Sequence, residues 1–201
     1  IPKGDWLSAC YNKYNQIINL QDKLGDRILY FDSDTSIKHT FFDSTMFIDS
    51  TYVVLKHFMN DYYFKTGRTE WPYEKNNKST AFIDYKNTDN SNRVYYHASF
   101  FGGKKKEVLQ LCNFVINSHN IDISNNIEAG VNDESYLNKY FDRYKIAPKI
   151  IDDTTFPFNI SDKSGIDNGR NSPEVPIKWL DFLQKNKDKL FTINNKNIVF
   201  L

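Results

Sequence analysis

The chain has 201 residues, of which 40% are hydrophobic, 16% aromatic and 25% charged. This composition is typical of one globular domain and excludes a disordered or collagen-like chain. With 26 basic against 25 acidic side chains the formal charge is +1, so nucleic acid is not expected as the principal partner, because no strong positive field is available to hold it.

The first part of the chain combines helical and strand patterns. Apolar residues at loose helical spacing predict a helix over residues 6–24, which a glycine follows as a stop signal. The run Arg27–Phe31 is short, favours β-structure and ends in carboxylates, so it predicts a buried strand. Residues 51–57 predict a second strand, and the polar, Asn-rich residues 60–92 are interpreted as mostly loop.

Residues 94–101 predict an aromatic strand that Gly102 and Gly103 are expected to end. Three lysines then begin a predicted helix whose apolar face comprises Val108, Leu111, Cys112, Val115 and Ile116. We interpret the lysines as a solvated helix face, with phosphate binding as the alternative. Asn132 is predicted to cap a helix over residues 133–144, and Ser172 a last helix from Pro173. Strands interleaved with helices predict an α/β fold.

No membrane span is expected, because no apolar run approaches the roughly 18–20 residues that a span requires, and the N-terminus lacks a signal-peptide pattern. Cys10 and Cys112 have neither metal-site nor framework spacing. We therefore interpret both as free thiols in a reducing compartment.

Two acidic pairs are candidates for chemistry. Asp32 and Asp34 flank Ser33 directly after the first strand, and two carboxylates on one tight turn suit a divalent cation that holds a diphosphate. The alternative is a solvated acidic turn, because a D-x-D pattern also arises by chance. Asp133 and Glu134 begin a helix, where compensation of the helix dipole is the ordinary explanation for adjacent acids.

Two blocks of the chain carry a resemblance to a known family. Residues 95–103 read Y-Y-H-A-S-F-F-G-G, and residues 131–140 read V-N-D-E-S-Y-L-N-K-Y. They resemble the Y-Y-H-A-x-x-F-G-G and W-H-D-E-S-x-x-N-K-Y blocks of glycosyltransferase family six, which includes the α-1,3-galactosyltransferases and the histo-blood-group A and B transferases. Order and spacing agree, although Val131 and Asn132 replace the Trp-His of the family.

The resemblance runs from about residue 6 to 151, and it includes Tyr73-Glu74-Lys75 as a counterpart of the family's Y-E-R. It implies a single catalytic domain over residues 1–201 with a divergent segment over 152–201. The implied fold is a GT-A type, Rossmann-like α/β domain. Because only five residues precede Trp6, we expect the chain to lack part of the N-terminal nucleotide-binding region.

The resemblance implies a retaining, metal-dependent enzyme that transfers galactose from UDP-galactose to a hydroxyl of an acceptor oligosaccharide or glycolipid, in α-1,3 linkage. Asp32 and Asp34 would hold Mn²⁺ against the diphosphate. Glu134 matches the family's catalytic carboxylate. The alternative is a non-catalytic glycan-binding or scaffold relative that has lost its uridine pocket, and a third reading is an α/β domain for another phosphate ligand.

The family's substrate contacts carry over to a small set of positions. His97, Ala98 and Ser99 would face the donor galactose, Asp133 its hydroxyls, and Lys13, at the position of a family arginine, the phosphates. The remaining substrate-binding candidates are Trp6, Asn132 and, at the position of an acceptor contact, His57. The expected location is cytoplasmic, with the Golgi lumen as the alternative if an N-terminal anchor has been removed.

Overall fold

The computed structural model of the protein describes residues 6–32, 36–37, 50–57, 60, 72–84, 94–151 and 158–159. Asp34, the predicted C-terminal helix and most of the divergent segment lie outside these residues. The described elements, in chain order, are α1 (Trp6–Asn19), β1 (Arg27–Phe31), β2 (Ser36–Ile37), β3 (Tyr52–Lys56), β4 (Tyr96–Lys104), α2 (Lys105–Ser124), α3 (Asn132–Tyr144), β5 (Lys149–Ile151) and β6 (Phe158–Asn159).

The main sheet has the strand order β1-β4-β3-β5. β4 runs antiparallel to both β1 and β3, whereas β3 and β5 are parallel. β2 and β6 form a separate antiparallel pair. A mixed sheet combined with helices confirms the predicted α/β class and fits a GT-A-like domain. The shortened N-terminal nucleotide-binding region stays a prediction.

The helices cover one face of this sheet and form the main core with it. The predicted apolar face of α2 is buried through Val108, Leu111, Cys112 and Val115. It packs with Tyr14 and Ile17 of α1 and with side chains of α3 and the sheet, namely Ile28, Tyr52, Val54, Phe101, Tyr136, Leu137, Tyr140 and Phe141. Cys10 and Cys112 are both free thiols, as predicted.

The two glycines do not end β4, and the prediction that they would is wrong. The strand continues through Gly102 and Gly103 to Lys104, hydrogen-bonded to β1 on one side and to β3 on the other. A Cβ on Gly102 would lie 2.6 Å from the carbonyl oxygen of Ile28, and one on Gly103 would collide with the carbonyl oxygen of Thr51. Gly103 also has a φ of 147°. The glycines therefore permit close strand contact rather than a turn.

The predicted boundaries of two helices are corrected. α1 ends at Asn19, and a short 3-10 turn over Gln21–Lys23 continues the predicted helix in a tighter form. Asn132 does not cap α3 but is its first residue, with a φ of 42°. The N–H of the preceding Val131 is satisfied from inside the helix, where the Ser135 hydroxyl accepts it at 3.1 Å.

Among the described residues, we find no helix that combines the length and the apolar character needed to cross a membrane.

Candidate active site

The ends of three adjacent strands bring the predicted site residues together. Asp32 follows β1, and its N–H donates to the carbonyl of Ser99 at 2.9 Å. His57 follows β3, and its N–H donates to the carbonyl of Tyr95 at 2.9 Å. Because β4 is antiparallel and lies between them, its first residues, which include His97, occupy the centre of the group.

The first turn of α3 supplies two buried carboxylates to the same place. Asp133 accepts a hydrogen bond of 2.9 Å from the Tyr14 hydroxyl on its Oδ2 atom. Glu134 Oε2 accepts the backbone N–H of Ala98, also at 2.9 Å. Both residues are less than a tenth exposed. Compensation of the helix dipole does not require burial, so these acids have a further role in the fold or the chemistry.

Lys13 on α1 connects the two acidic pairs. Its Nζ lies 2.9 Å from Asp133 Oδ2 and 3.5 Å from Asp32 Oδ1, and it donates to the carbonyl of Ala98 at 3.0 Å. The side chain is 8% exposed. Burial by itself lowers the pKa of Lys13, but the carboxylates of Asp133 and Asp32 more than offset this and raise it. Lys13 is therefore a permanent cation between two acids.

Burial raises the pKa of Glu134 from 4.5 to about 7. The hydrogen bond from Ala98 opposes this shift, and the negative charge of Asp133 adds to it. Glu134 is thus close to half-ionised near neutral pH, which is a property of carboxyl groups that exchange protons or carry charge in a reaction.

Two histidines stand beside Glu134, with their ring centroids 4.8 Å apart. His57 Nε2 lies 4.0 Å from Glu134 Oε1, and His97 Nδ1 lies 4.0 Å from Glu134 Oε2. Burial lowers the pKa of His57 to about 3 and that of His97 to about 4; the other imidazole adds to the first shift and Lys13 to the second. Both rings are therefore neutral at physiological pH, and neither forms an ion pair with the carboxylate.

His97 is oriented by its own strand. Its Nδ1 lies 2.6 Å from the Ser99 hydroxyl and also accepts the N–H of Ser99 at 3.1 Å. An Nδ1 that accepts this N–H carries no proton, so the hydroxyl donates to the same atom and Nε2 carries the N–H.

Asn138 is a site residue whose contacts the sequence did not reveal. From α3, its side chain accepts the N–H of Tyr96 at 2.9 Å and donates to the Tyr96 carbonyl at 2.9 Å. Its amide also donates to the carbonyl of Glu134. Asn138 thereby fixes the turn that carries Glu134 against the strand that carries His97. The available signal was an asparagine one turn after Glu134, within the family-like block.

The remaining predicted residues are placed differently. Asn132 is half-buried and directly precedes Asp133. The side chain of Trp6 and the whole of Asp34 lie outside the described residues. The lysine run lies at the opposite end of β1, where Lys104 pairs with Arg27. Lys104 and Lys106 are exposed there, as expected for a solvated face.

The sequence matches a known protein family across most of this site. Residues 26–157, more than half of the chain, match the sequence profile of Glycosyltransferase family 6. This range contains every predicted site residue except Trp6 and Lys13.

Individual relatives match over a shorter stretch. The chain is 39% identical to mouse "N-acetyllactosaminide alpha-1,3-galactosyltransferase-like 1" over 80 residues, 40% of this chain and 23% of the relative. It is 34% identical to chicken "Globoside alpha-1,3-N-acetylgalactosaminyltransferase 1" over 86 residues, 41% of this chain and 23% of the relative. It is 34% identical to the Escherichia coli "O-antigen biosynthesis glycosyltransferase WbnI" over 74 residues, 35% of this chain and 29% of the relative.

The chain thus spans about a quarter of the length of the curated relatives that it matches. The profile match covers both blocks on which the resemblance rested, together with the strands that carry Asp32 and His57. On this match, the chain belongs to glycosyltransferase family 6.

Proposed function

We propose that the protein is a retaining, metal-dependent hexosyltransferase that moves galactose from UDP-galactose to a hydroxyl of an acceptor oligosaccharide or glycolipid, in α-1,3 linkage. One observation carries the proposal. The buried carboxylate of Glu134 is held by the Ala98 N–H within a group that also contains Asp32, Asp133 and Lys13. Family membership supports the class of reaction, and the names of the relatives support the linkage.

Glu134 is the proposed catalytic residue. Retention of configuration requires that one face of the sugar be shielded or attacked before the acceptor hydroxyl arrives. A carboxylate fixed by a backbone N–H on a strand can serve as the nucleophile or stabilise an oxocarbenium-like centre. Because the pKa of Glu134 is about 7, only part of the protein carries the ionised carboxylate near neutral pH, and only that part would react.

The leaving diphosphate requires positive charge. Asp32 offers a carboxylate whose side chain is 36% exposed, and oxygen donors of this kind fit Mn²⁺ or Mg²⁺. With Asp34 it would hold Mn²⁺, which when bound supplies a Lewis acid for the diphosphate. Lys13 directs its N–H groups to Asp32, Asp133 and Ala98, so we propose that it orders both carboxylates. Its contact with phosphate stays a prediction.

The sugar side of the site is proposed on the same geometry. His97, Ala98 and Ser99 lie at the beginning of β4 beside Glu134 and would contact the donor galactose, together with Asp133. His57 lies near one oxygen of the Glu134 carboxylate, Oε1, whereas the N–H of Ala98 donates to the other, Oε2. We propose that His57, with Asn132 and Trp6, contributes to binding of the acceptor.

The competing proposal is a non-catalytic glycan-binding or scaffold protein. Its support is that Val131 and Asn132 stand where the family has Trp-His, residues that line the acceptor site in relatives, so the identity of the acceptor is in doubt. It is disfavoured by the burial of Asp133, Glu134 and Lys13. Burying ionisable groups costs free energy, and a site without a reaction has no physical reason to keep them.

Donor hydrolysis tests the proposal without knowledge of the acceptor. The protein is incubated with Mn²⁺ and a panel of UDP-sugars, and release of UDP is followed. We expect slow hydrolysis of UDP-galactose that Glu134→Gln removes and that the exposed Glu128→Gln leaves unchanged. Binding of UDP-galactose without release of UDP, even with acceptor glycans added, would support the non-catalytic alternative instead.

A further inference from the structure

Three groups that can ligate a metal face one another beside the proposed sugar pocket. One ligand atom from each of His57, His97 and Glu134 lies within 4.8 Å of the other two. Each imidazole nitrogen lies 4.0 Å from a Glu134 oxygen. This distance is too long for a hydrogen bond, but it is of the size that a bridging ion spans.

We propose that His57, His97 and Glu134 form a binding site for a Zn²⁺-like transition-metal ion, separate from the oxygen donors of Asp32 and Asp34. Zn²⁺ binds nitrogen and oxygen at about 2.0–2.2 Å, so at tetrahedral angles two of its ligands stand roughly 3.3–3.6 Å apart. The two 4.0 Å separations, which end on different oxygens of Glu134, must therefore shorten by about 0.5 Å. The three ligand atoms all lie within 4.8 Å of one another, so the largest contraction is about 1.5 Å, which side-chain rotation can supply.

Coordination would keep the hydrogen bond of Glu134 to the strand and replace those of His97. Glu134 Oε2 can keep its bond to the Ala98 N–H, while Oε1, which faces His57, takes the metal. His97 would exchange both contacts from Ser99, the hydroxyl and the backbone N–H, for the ion at Nδ1. A fourth position stays open for water, as in zinc sites with three protein ligands.

Charge and ligand type both favour the proposal. Among the residues that the structure describes here, Asp32, Asp133 and Glu134 provide three acidic groups and Lys13 provides one cation, a balance that attracts a divalent ion. Imidazole ligands suit Zn²⁺, Cu²⁺ and Ni²⁺, whereas Mn²⁺ and Mg²⁺ prefer carboxylates and water.

The site has a consequence for activity, which rests on the proposed function. An ion on Glu134 would withhold the carboxylate from the sugar and would occupy the space between donor and acceptor. Zn²⁺ should therefore inhibit transfer even when Mn²⁺ is saturating, because the two ions occupy different ligands.

The test measures binding alone. The chain is stripped with a chelator and titrated with Zn²⁺, without donor and without Mn²⁺, by calorimetry and by competition with a chromophoric chelator. We expect one site whose affinity falls by at least about 100-fold in His57→Ala, His97→Gln and Glu134→Gln, since even loss of a supporting contact behind a ligand costs 10–100-fold. Co²⁺ should give a visible absorption band that the same variants lose.

Two controls define the outcome. His119→Ala removes an imidazole that stacks on Tyr11 and is not part of the cluster, and Asp32→Asn removes a proposed Mn²⁺ ligand that is not part of the cluster either. Both should retain the Zn²⁺ site. Thermal melts followed by circular dichroism establish that each variant is folded. The proposal is overturned if folded His57→Ala and His97→Gln bind Zn²⁺ as wild type does, or if wild type shows no site. Because no sugar is present, neither result depends on whether the protein is an active transferase.

Discussion

At the scale of single residues, the proposed chemistry depends most on the buried carboxylate of Glu134. We expect Glu134→Gln to reduce turnover by about 100-fold or more, equivalent to roughly 2.7 kcal/mol, because the amide keeps the shape but lacks the charge that stabilises the developing positive centre. The measurement is kcat and KM for UDP-galactose, with the exposed Glu128→Gln as control. Unchanged turnover would leave Glu134 with a structural role only.

His97 is expected to determine the choice of donor. The imidazole is held in place by Ser99 and stands beside Glu134, where it would fill the space that an acetamido group needs. We expect wild type to prefer UDP-galactose and His97→Gly to shift the preference toward UDP-N-acetylgalactosamine. The ratio of kcat/KM for the two donors, compared with that of His119→Ala, measures this effect. A ratio that the substitution leaves unchanged would contradict the donor assignment.

Asp34 belongs to the proposed metal pair with Asp32. We expect Asp34→Ala, or chelation of the metal, to abolish transfer while the protein remains folded, because a carboxylate in an acidic turn contributes little to the core. Activity is assayed with and without added Mn²⁺, and Asp22→Ala, an exposed acid in the 3-10 turn, serves as control. Full activity of Asp34→Ala in the presence of chelator would remove the metal from the mechanism.

At the scale of elements, the close packing of β4 between β1 and β3 depends on its two glycines. We expect Gly103→Ala to lower the free energy of unfolding by about 2 kcal/mol or more, since the new Cβ meets the carbonyl of Thr51 and the φ of 147° is unfavourable for alanine.

Gly130→Ala is the matched control for this change. Its Cβ would lie 3.5 Å from Glu74 Oε2, an ordinary contact, so we expect a much smaller effect. Denaturant unfolding of both variants gives the comparison. Equal stabilities would mean that the sheet tolerates a side chain at Gly103.

At the scale of the whole molecule, converging strand ends and the helix α3 place ionisable groups in the interior, and stability becomes dependent on pH. The pKa of Glu134 is raised from 4.5 to about 7 in the folded protein. Glu134 therefore contributes its full stabilisation of the fold below about pH 4.5, where the folded and the unfolded protein both hold its proton. This contribution to the free energy of unfolding is lost as pH rises through 7. The lowered pKa values of His57 and His97 act oppositely, because their contribution is lost as pH falls below 6.5.

Comparison with Glu134→Gln isolates the carboxylate. We expect the stability of the variant relative to wild type to increase between pH 4.5 and 7 and then to level off, by about 2–3 kcal/mol in total. Free energies of unfolding measured at pH 5, 6, 7 and 8 test this. A difference that stays constant with pH would mean that Glu134 titrates at its ordinary value in the fold.

The amino-acid sequence alone determined those features that depend on neighbouring residues. Arg27–Phe31 was predicted as a strand with the observed bounds, and the apolar face of α2 was predicted correctly. Both follow from local periodicity, which side-chain chemistry and helix geometry impose wherever the chain lies. Each of the two family-like blocks is one continuous stretch of sequence, so its resemblance to the family could be recognised without knowledge of the fold.

Only the tertiary structure decided how distant residues meet. Gly102 and Gly103 have the local signature of a turn, but β1 and β3 pair with them on both sides and extend the strand. Lys13 lies 19 residues from Asp32 in the chain, and Tyr14 lies 119 from Asp133, yet each pair is in contact. No periodicity records such contacts, because they arise when strand pairing and helix packing close long loops, and the burial that shifts the pKa of Glu134 exists only after that closure.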